Sequence, residues 1–195
     1  MKGFVKAAAA IVLGLAIVAA PAQAQKKKAP APASAAPASS AAKPITWNAG
    51  VGLSLPTTTG LNTGFNVRLG ATFTPHAWPV WLRPEAAFDH FGISCGGGSC
   101  SSTQIGVGAY AGYDFKTASS FKPYGLAGLG FVHTSSTVSF GGFTATGSTT
   151  NLGLSLGGGA RMPVGSMTGY GELRFNSVSG GSAIALTVGL MFGKK

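Results

Sequence analysis

The chain has 195 residues, 45% of them hydrophobic and only 9% charged, with 31 glycines and a formal net charge of +10. That length suits one domain, and a charged fraction far below the usual quarter argues against an ordinary water-soluble surface. The lysines lie at 2, 6, 26–28, 43, 116, 122, 194 and 195, mostly in the tails, so they form no clustered basic face for tracking nucleic acid.

At the start, Lys2 and Lys6 form a positive n-region, residues 7–20 an apolar run, and Ala22-Gln23-Ala24 a small-residue cleavage site. This is the pattern of a secretory signal peptide over 1–24. The run is short of the roughly 20 apolar residues that span a bilayer as a helix, so cleavage after Ala24 is expected over a retained anchor. Residues 25–44, "QKKKAPAPASAAPASSAAKP", hold Pro30, Pro32, Pro37 and Pro44 among alanines and serines, with no bulky apolar side chain. Such a segment is expected to stay extended and solvated as a periplasmic linker. Lys26–Lys28 offer charge to an anionic surface, although a plain spacer accounts for the same composition.

From Ile45 the apolar residues alternate with a period of two, and no helical period competes. Eight strands are expected, at 45–56, 64–74, 79–91, 103–115, 122–135, 149–162, 167–178 and 183–192, at or somewhat above the 9 to 11 residues with which a tilted strand crosses a bilayer. Connections 92–102 and 136–148 are long and polar, whereas "PHAWP", "KTASSF" and "VGSM" are compact, the asymmetry of external loops and periplasmic turns. In the fifth segment Tyr124 and Leu126 share one parity while Leu129 and Phe131 share the other, which predicts a bulge or a register fault near Ala127-Gly128.

Parity distinguishes the environments. Trp47, Val51, Leu53 and Leu55 oppose Asn48, Gly50 and Ser54; Phe65, Val67 and Leu69 oppose Asn66, Arg68 and Gly70; Ile184, Leu186, Val188, Leu190 and Phe192 oppose Ala185, Thr187 and Gly189. The same sorting puts Arg68, Arg83, Arg161 and Arg174 on the non-apolar face with Glu85, Asp89, Asp114 and Glu172, so all four arginines and all 4 acids of the chain share one face. A soluble lipocalin-like barrel would turn that face to water, with many lysines and glutamates. Balanced charges among glycines instead suit a tight interior, where a charge must be paired. The aromatics support lipid outside: Trp47, Phe73, Trp78, Trp81, Tyr113, Phe115, Phe121, Tyr124 and Phe192 fall at one set of strand ends, and Phe65, Phe88, Phe91, Phe131 and Phe175 at the other, as two membrane-interface girdles would.

Over residues 45–192 this pattern resembles the small outer-membrane β-barrels of the OmpA and OmpX type. The resemblance implies an all-β fold, an eight-stranded antiparallel up-and-down transmembrane barrel, in an outer membrane of the Gram-negative type. It also implies that Phe192, closing the last strand, serves as the signal read by the outer-membrane assembly machinery. The chain departs by adding Gly193-Lys194-Lys195, and it has no C-terminal peptidoglycan-binding domain, so an anchoring role does not transfer. An eight-stranded barrel is only wide enough for its own side chains, which predicts an interior charge network of these eight residues that closes the barrel to large solutes.

Catalysis has little to stand on. His133 and Ser135 of "HTS" loosely resemble the His-x-Ser of outer-membrane lipid A deacylases, but a histidine that activates a serine needs an orienting group, and no acid lies between Asp114 and Glu172. His90 and Asp89, as strand neighbours, point to opposite faces; His76 sits in a turn. Cys95 and Cys100 flank "GGGS" and, in an exported chain, predict a local disulfide; they supply too few ligands for a metal. "GVGAYAG" lacks the strand-to-helix setting of a phosphate loop. The reading is a non-enzymatic outer-membrane barrel without cofactor, in contact with lipid and carrying a structural or surface-interaction role. Its uncharged segments 92–102 and 136–148, with Phe140 and Phe143, are the candidate contacts for extracellular partners.

Overall fold

The computed structural model describes residues 44–193. The leader read over 1–24 and all but the last residue of the linker read over 25–44 lie outside the described residues. Eight antiparallel strands, β1 (Thr46–Pro56), β2 (Gly64–Thr72), β3 (Trp81–Ile93), β4 (Ser99–Asp114), β5 (Lys122–Phe140), β6 (Phe143–Val164), β7 (Met167–Val178) and β8 (Gly181–Phe192), follow one another round a closed barrel in chain order. Closure is made by β1 and β8, paired from Trp47 opposite Phe192 to Pro56 opposite Ala183. Pro44 and Gly193 lie at the same end, called here the inner end.

Alternation along each strand sends successive side chains to opposite faces, and the faces are the reverse of a soluble barrel's. Val51, Leu69, Val107, Leu154, Leu173 and Val188 are exposed on the outside, whereas Asn48, Asn66, Arg68, Arg83, Glu85, Glu172 and Arg174 are buried within. In water such an exterior would be untenable, since patches this large are buried against another surface. In lipid it is the ground state: the sheet closes on itself, so no free strand edge runs along the hydrocarbon.

Three expectations are corrected. No bulge or register fault occurs at Ala127-Gly128: β5 pairs without interruption from Tyr124 opposite Asp114 to Ser139 opposite Ser99, and from Lys122 opposite Arg161 to Phe140 opposite Phe143. The apparent change of parity arises because Tyr124 and Leu126 are buried inside the barrel, while Leu129 and Phe131 face out. For the same reason Trp81, Tyr124 and Phe91 do not belong to the girdles: all three are buried, facing inward with Arg83, Glu85 and Asp89. Trp47, Trp78, Tyr113, Phe115, Phe121 and Phe192 remain exposed at the inner end, with Phe65, Phe131 and Phe175 exposed toward the other.

The third correction concerns the outer connections. Segment 136–148 is a continuation of β5 and β6, joined by Gly141-Gly142 alone, both with positive φ (56° and 84°). This is the signature of a two-residue primed turn, whose twist matches the flanking strands. Segment 92–102 likewise shrinks to 94–98 between β3 and β4. Both stretches are polar on both faces because both faces meet water, yet their Thr, Ser and Val content still favours extended chain.

One ladder is interrupted. β2 and β3 pair from Phe65 opposite His90 to Gly70 opposite Glu85 and resume only at an isolated bridge between Phe73 and Leu82. Pro84 occupies the gap, and proline has no N–H to give to the ladder.

Candidate functional site

Strand β3 orders the interior. Its inward residues Trp81, Arg83, Glu85, Asp89 and Phe91 run from the inner to the outer end, with alternate residues about 6.6 Å apart along the strand.

At the inner mouth, Arg161 Nη1 donates to both carboxylate oxygens of Asp114 at 3.1 Å, and Trp81 Nε1 donates to Asp114 Oδ1 at 2.9 Å. The Arg161 guanidinium also sits 4.5 Å from the ring centroids of both Trp81 and Tyr124. Its Nε and Nη2 are buried without a hydrogen-bond acceptor; the two π faces supply the compensating negative potential.

The middle layer is a cyclic quartet of two arginines and two glutamates. Arg83 Nη2 donates to Glu172 Oε2 at 2.8 Å, and Arg83 Nε lies 3.2 Å from Glu85 Oε2 as an ion pair without hydrogen-bond geometry. Arg174 Nη1 donates to Glu85 Oε1 at 2.7 Å, and Arg174 also donates to Glu172. Tyr124 donates its hydroxyl to Glu172 Oε2 at 2.8 Å. The ring of Tyr110 lies under Arg174 at 4.3 Å. Each carboxylate thus meets two guanidinium groups, which is how four buried charges become tolerable.

The third layer is Arg68 donating to Asp89 at 2.8 Å, with Ser54 donating to the same carboxylate oxygen at 2.6 Å. Asn66 extends the network to Ser54 at 3.3 Å and accepts from Thr187 at 2.9 Å. Beyond it the barrel is hollow: a cavity of about 260 Å³ has Arg68, Asp89, Gln104, Asn176 and Phe91 in its lining.

Of the aromatic side chains of this plug, Trp81 and Tyr124 were placed on the wall from sequence and Tyr110 was passed over, although parity carried the signal. Trp81 shares the face of Arg83 and Glu85, and Tyr110 that of Gly108 and Gly112. Inward-facing glycines make room for the rings: a Cβ at Gly112 would overlap the indole of Trp81, and one at Gly128, on the neighbouring strand, would overlap the ring of Tyr110.

The remaining candidates lie elsewhere. His133 and Ser135 share the outward parity of β5, and His133 Nδ1 meets Thr150 Oγ1 at 2.9 Å, not Ser135. His90 faces outward beside Phe65 and meets Thr103 Oγ1 at 3.0 Å, while Asp89 faces inward. Cys95 and Cys100 are joined as a disulfide, with Cα atoms 6.2 Å apart. Phe192 is exposed on the outer wall at the end of β8.

At the outer end β4, β5 and β6 stay paired with one another, β4 reaching Ser99 opposite Ser139, and run on past β7. β6 pairs with β7 only from Gly153 onward, whereas it pairs with β5 up to Phe143. Residues 143–152 therefore present an open strand edge of about 33 Å at 3.3 Å per residue. No charged residue or proline interrupts this edge, and Phe143 at its tip is 84% exposed. The ring of Phe140 rests on Gly97 and Gly98 of the disulfide loop, within 3.8 and 3.4 Å of where their Cβ atoms would stand.

A closed antiparallel barrel with an apolar wall and a charged core defines an integral membrane β-barrel. The sequence matches the family described as "Outer membrane protein beta-barrel domain" over residues 9–192, and the chain belongs to that family. Its fold is similar to that of Neisserial surface protein A, at TM-score 0.56 and 21% identity, over 77% of this chain and 97% of that one. It is also similar to a major outer membrane protein of Thermus thermophilus, at TM-score 0.60 and 13% identity over 77% and 99% of the two chains. Ail, the attachment invasion locus protein of Yersinia pestis, aligns at TM-score 0.54 and 15% identity over 76% and 98%. No curated sequence matches significantly.

Proposed function

We propose that this outer-membrane barrel is a surface-interaction protein whose wall is a closed support and whose β5–β6 hairpin is the contact element. The observation that carries the reading is the open edge of β6 over 143–152. Unpaired N–H and C=O groups in a row are a template for an added strand, and this edge has neither the lysines nor the prolines that usually block one. Phe143 adds an apolar anchor at the tip. The three interior layers suit a support that passes no large solute, and the disulfide at Cys95–Cys100 steadies the loop on which Phe140 rests. In this reading the leader is removed after Ala24, Phe192 presents the assembly signal, and His133 and Ser135 have no catalytic part.

The test is binding of proteoliposomes carrying the full chain to extracellular-matrix-coated surfaces and to epithelial monolayers. Thr146→Lys, which puts a charge on the open edge, combined with Phe143→Ser, is expected to lower retention on at least one surface by an order of magnitude or more. Equal retention of the native and altered chains on every surface to which the native chain binds, or no binding of the native chain beyond empty vesicles, defeats the proposal. Planar-bilayer recordings are expected to show no steady large conductance; a persistent one would exclude a closed wall.

A further inference from the structure

We propose that the inner rim of the barrel is a cationic collar that gathers anionic phospholipid headgroups from the adjoining leaflet. The argument starts from where the topology leaves charge. Inside the strands four arginines face four acids, while the projecting outer segments carry no charge at all. The lysines at 116 and 122 bracket the β4–β5 turn, and both are exposed. Among the ion pairs of the described residues, neither lysine takes part. Lys43 immediately precedes Pro44 and Lys194-Lys195 immediately follow Gly193 in the sequence, and Pro44 and Gly193 both line an inner vestibule of about 520 Å³ together with Lys122 and Arg161. The excess positive charge beyond the leader is thus attached to one end of the molecule.

The level of these charges selects the partner. Lys116 and Lys122 adjoin Phe115 and Phe121, which are exposed belt residues, and the two chain ends leave the barrel beside exposed Trp47 and Phe192. Belt aromatics settle at the boundary between hydrocarbon and headgroups. A lysine stem next to such a residue carries its ammonium group to the phosphate level. Wall polymers are the other polyanion within reach of this end, but charges held close to the belt face lipid first. A basic residue near an anionic membrane surface is worth on the order of a fivefold gain in association.

Intrinsic fluorescence reads this end alone, because Trp47, Trp78 and Trp81 all lie there, the first two exposed and the third inside. The full chain is inserted in vesicles containing brominated phosphatidylglycerol or, at the same mole fraction, brominated phosphatidylcholine. The glycerol lipid is expected to quench about fivefold more effectively at low mole fraction, with the excess lost in high salt and in K43Q/K116Q/K122Q/K194Q/K195Q. Should that chain fail to insert, judged by heat-modifiable mobility, K116Q/K122Q is expected to lose part of the excess. Equal quenching by both lipids overturns the proposal, as does an excess that survives the lysine substitutions. Lysine-dependent pelleting with purified wall sacculi, without lipid preference, would overturn it in favour of wall carboxylates.

Discussion

The inner and outer halves of this barrel handle the same geometric problem in opposite ways. Behind its vestibule the inner half is filled by charged and aromatic side chains: Arg161, Trp81 and Tyr124 stack across the barrel, and the Arg83–Glu85–Arg174–Glu172 quartet fills the section above. The outer half holds a cavity of about 260 Å³ and then extends into an uncharged hairpin wet on both faces. Charge is thus concentrated where it is most expensive, in the buried section, and absent where it would cost little. This is intelligible if the inner half fixes the barrel and the outer half has to offer bare backbone.

The largest effect that tests this division comes from the quartet. Replacing Arg174 with methionine leaves Glu85 and Glu172 short of a partner inside the plug and is expected to cost about 3–5 kcal/mol, read as a lower urea midpoint for loss of heat-modifiable mobility in vesicles. An unchanged midpoint would mean that the inner half is not the stabilising one. A smaller loss, about 1–3 kcal/mol, is expected for Gly112→Val, because the new side chain meets the Trp81 indole; a shifted Trp81 emission should accompany it. The smallest effect belongs to the outer half. Converting Cys95 and Cys100 to serine is expected to leave the unfolding midpoint in place and to raise only the rate of protease cleavage at 94–98. A global loss from this change would erase the distinction between the halves.

How much of this was legible from sequence depended on which signal was read. All eight strands follow from alternation, and their inner ends fall within two residues of the expected positions, because lipid outside enforces strict parity there. Inside, hydrophobicity misled: Trp81, Tyr124 and Leu126 look like wall residues, yet the parity set by Arg83, Glu85 and Asp89 places Trp81 with the charges. A charge in mid-strand is the stronger guide, since an aromatic ring tolerates either lipid or a guanidinium partner, while an arginine does not tolerate lipid. The outer extensions of β4, β5 and β6 were hidden for a different reason. Once both faces of a strand meet water, alternation disappears, and only the Gly141-Gly142 pair between two phenylalanines marked the hairpin turn.

The proline in β3 bears on how the closed wall would come apart. A barrel closed by its first and last strands is naturally pictured as opening where those strands meet, but β1 and β8 are paired along ten residues. The ladder between β2 and β3 has six continuous pairs and a gap opposite Pro84 before it resumes at Phe73. That places the natural unzipping line two strands away from the β1–β8 closure. The amide of Ala71, which points toward β3 at the gap, should exchange with solvent deuterium ahead of those in β8, and a cross-link between β2 and β3 should slow unfolding more than one between β1 and β8.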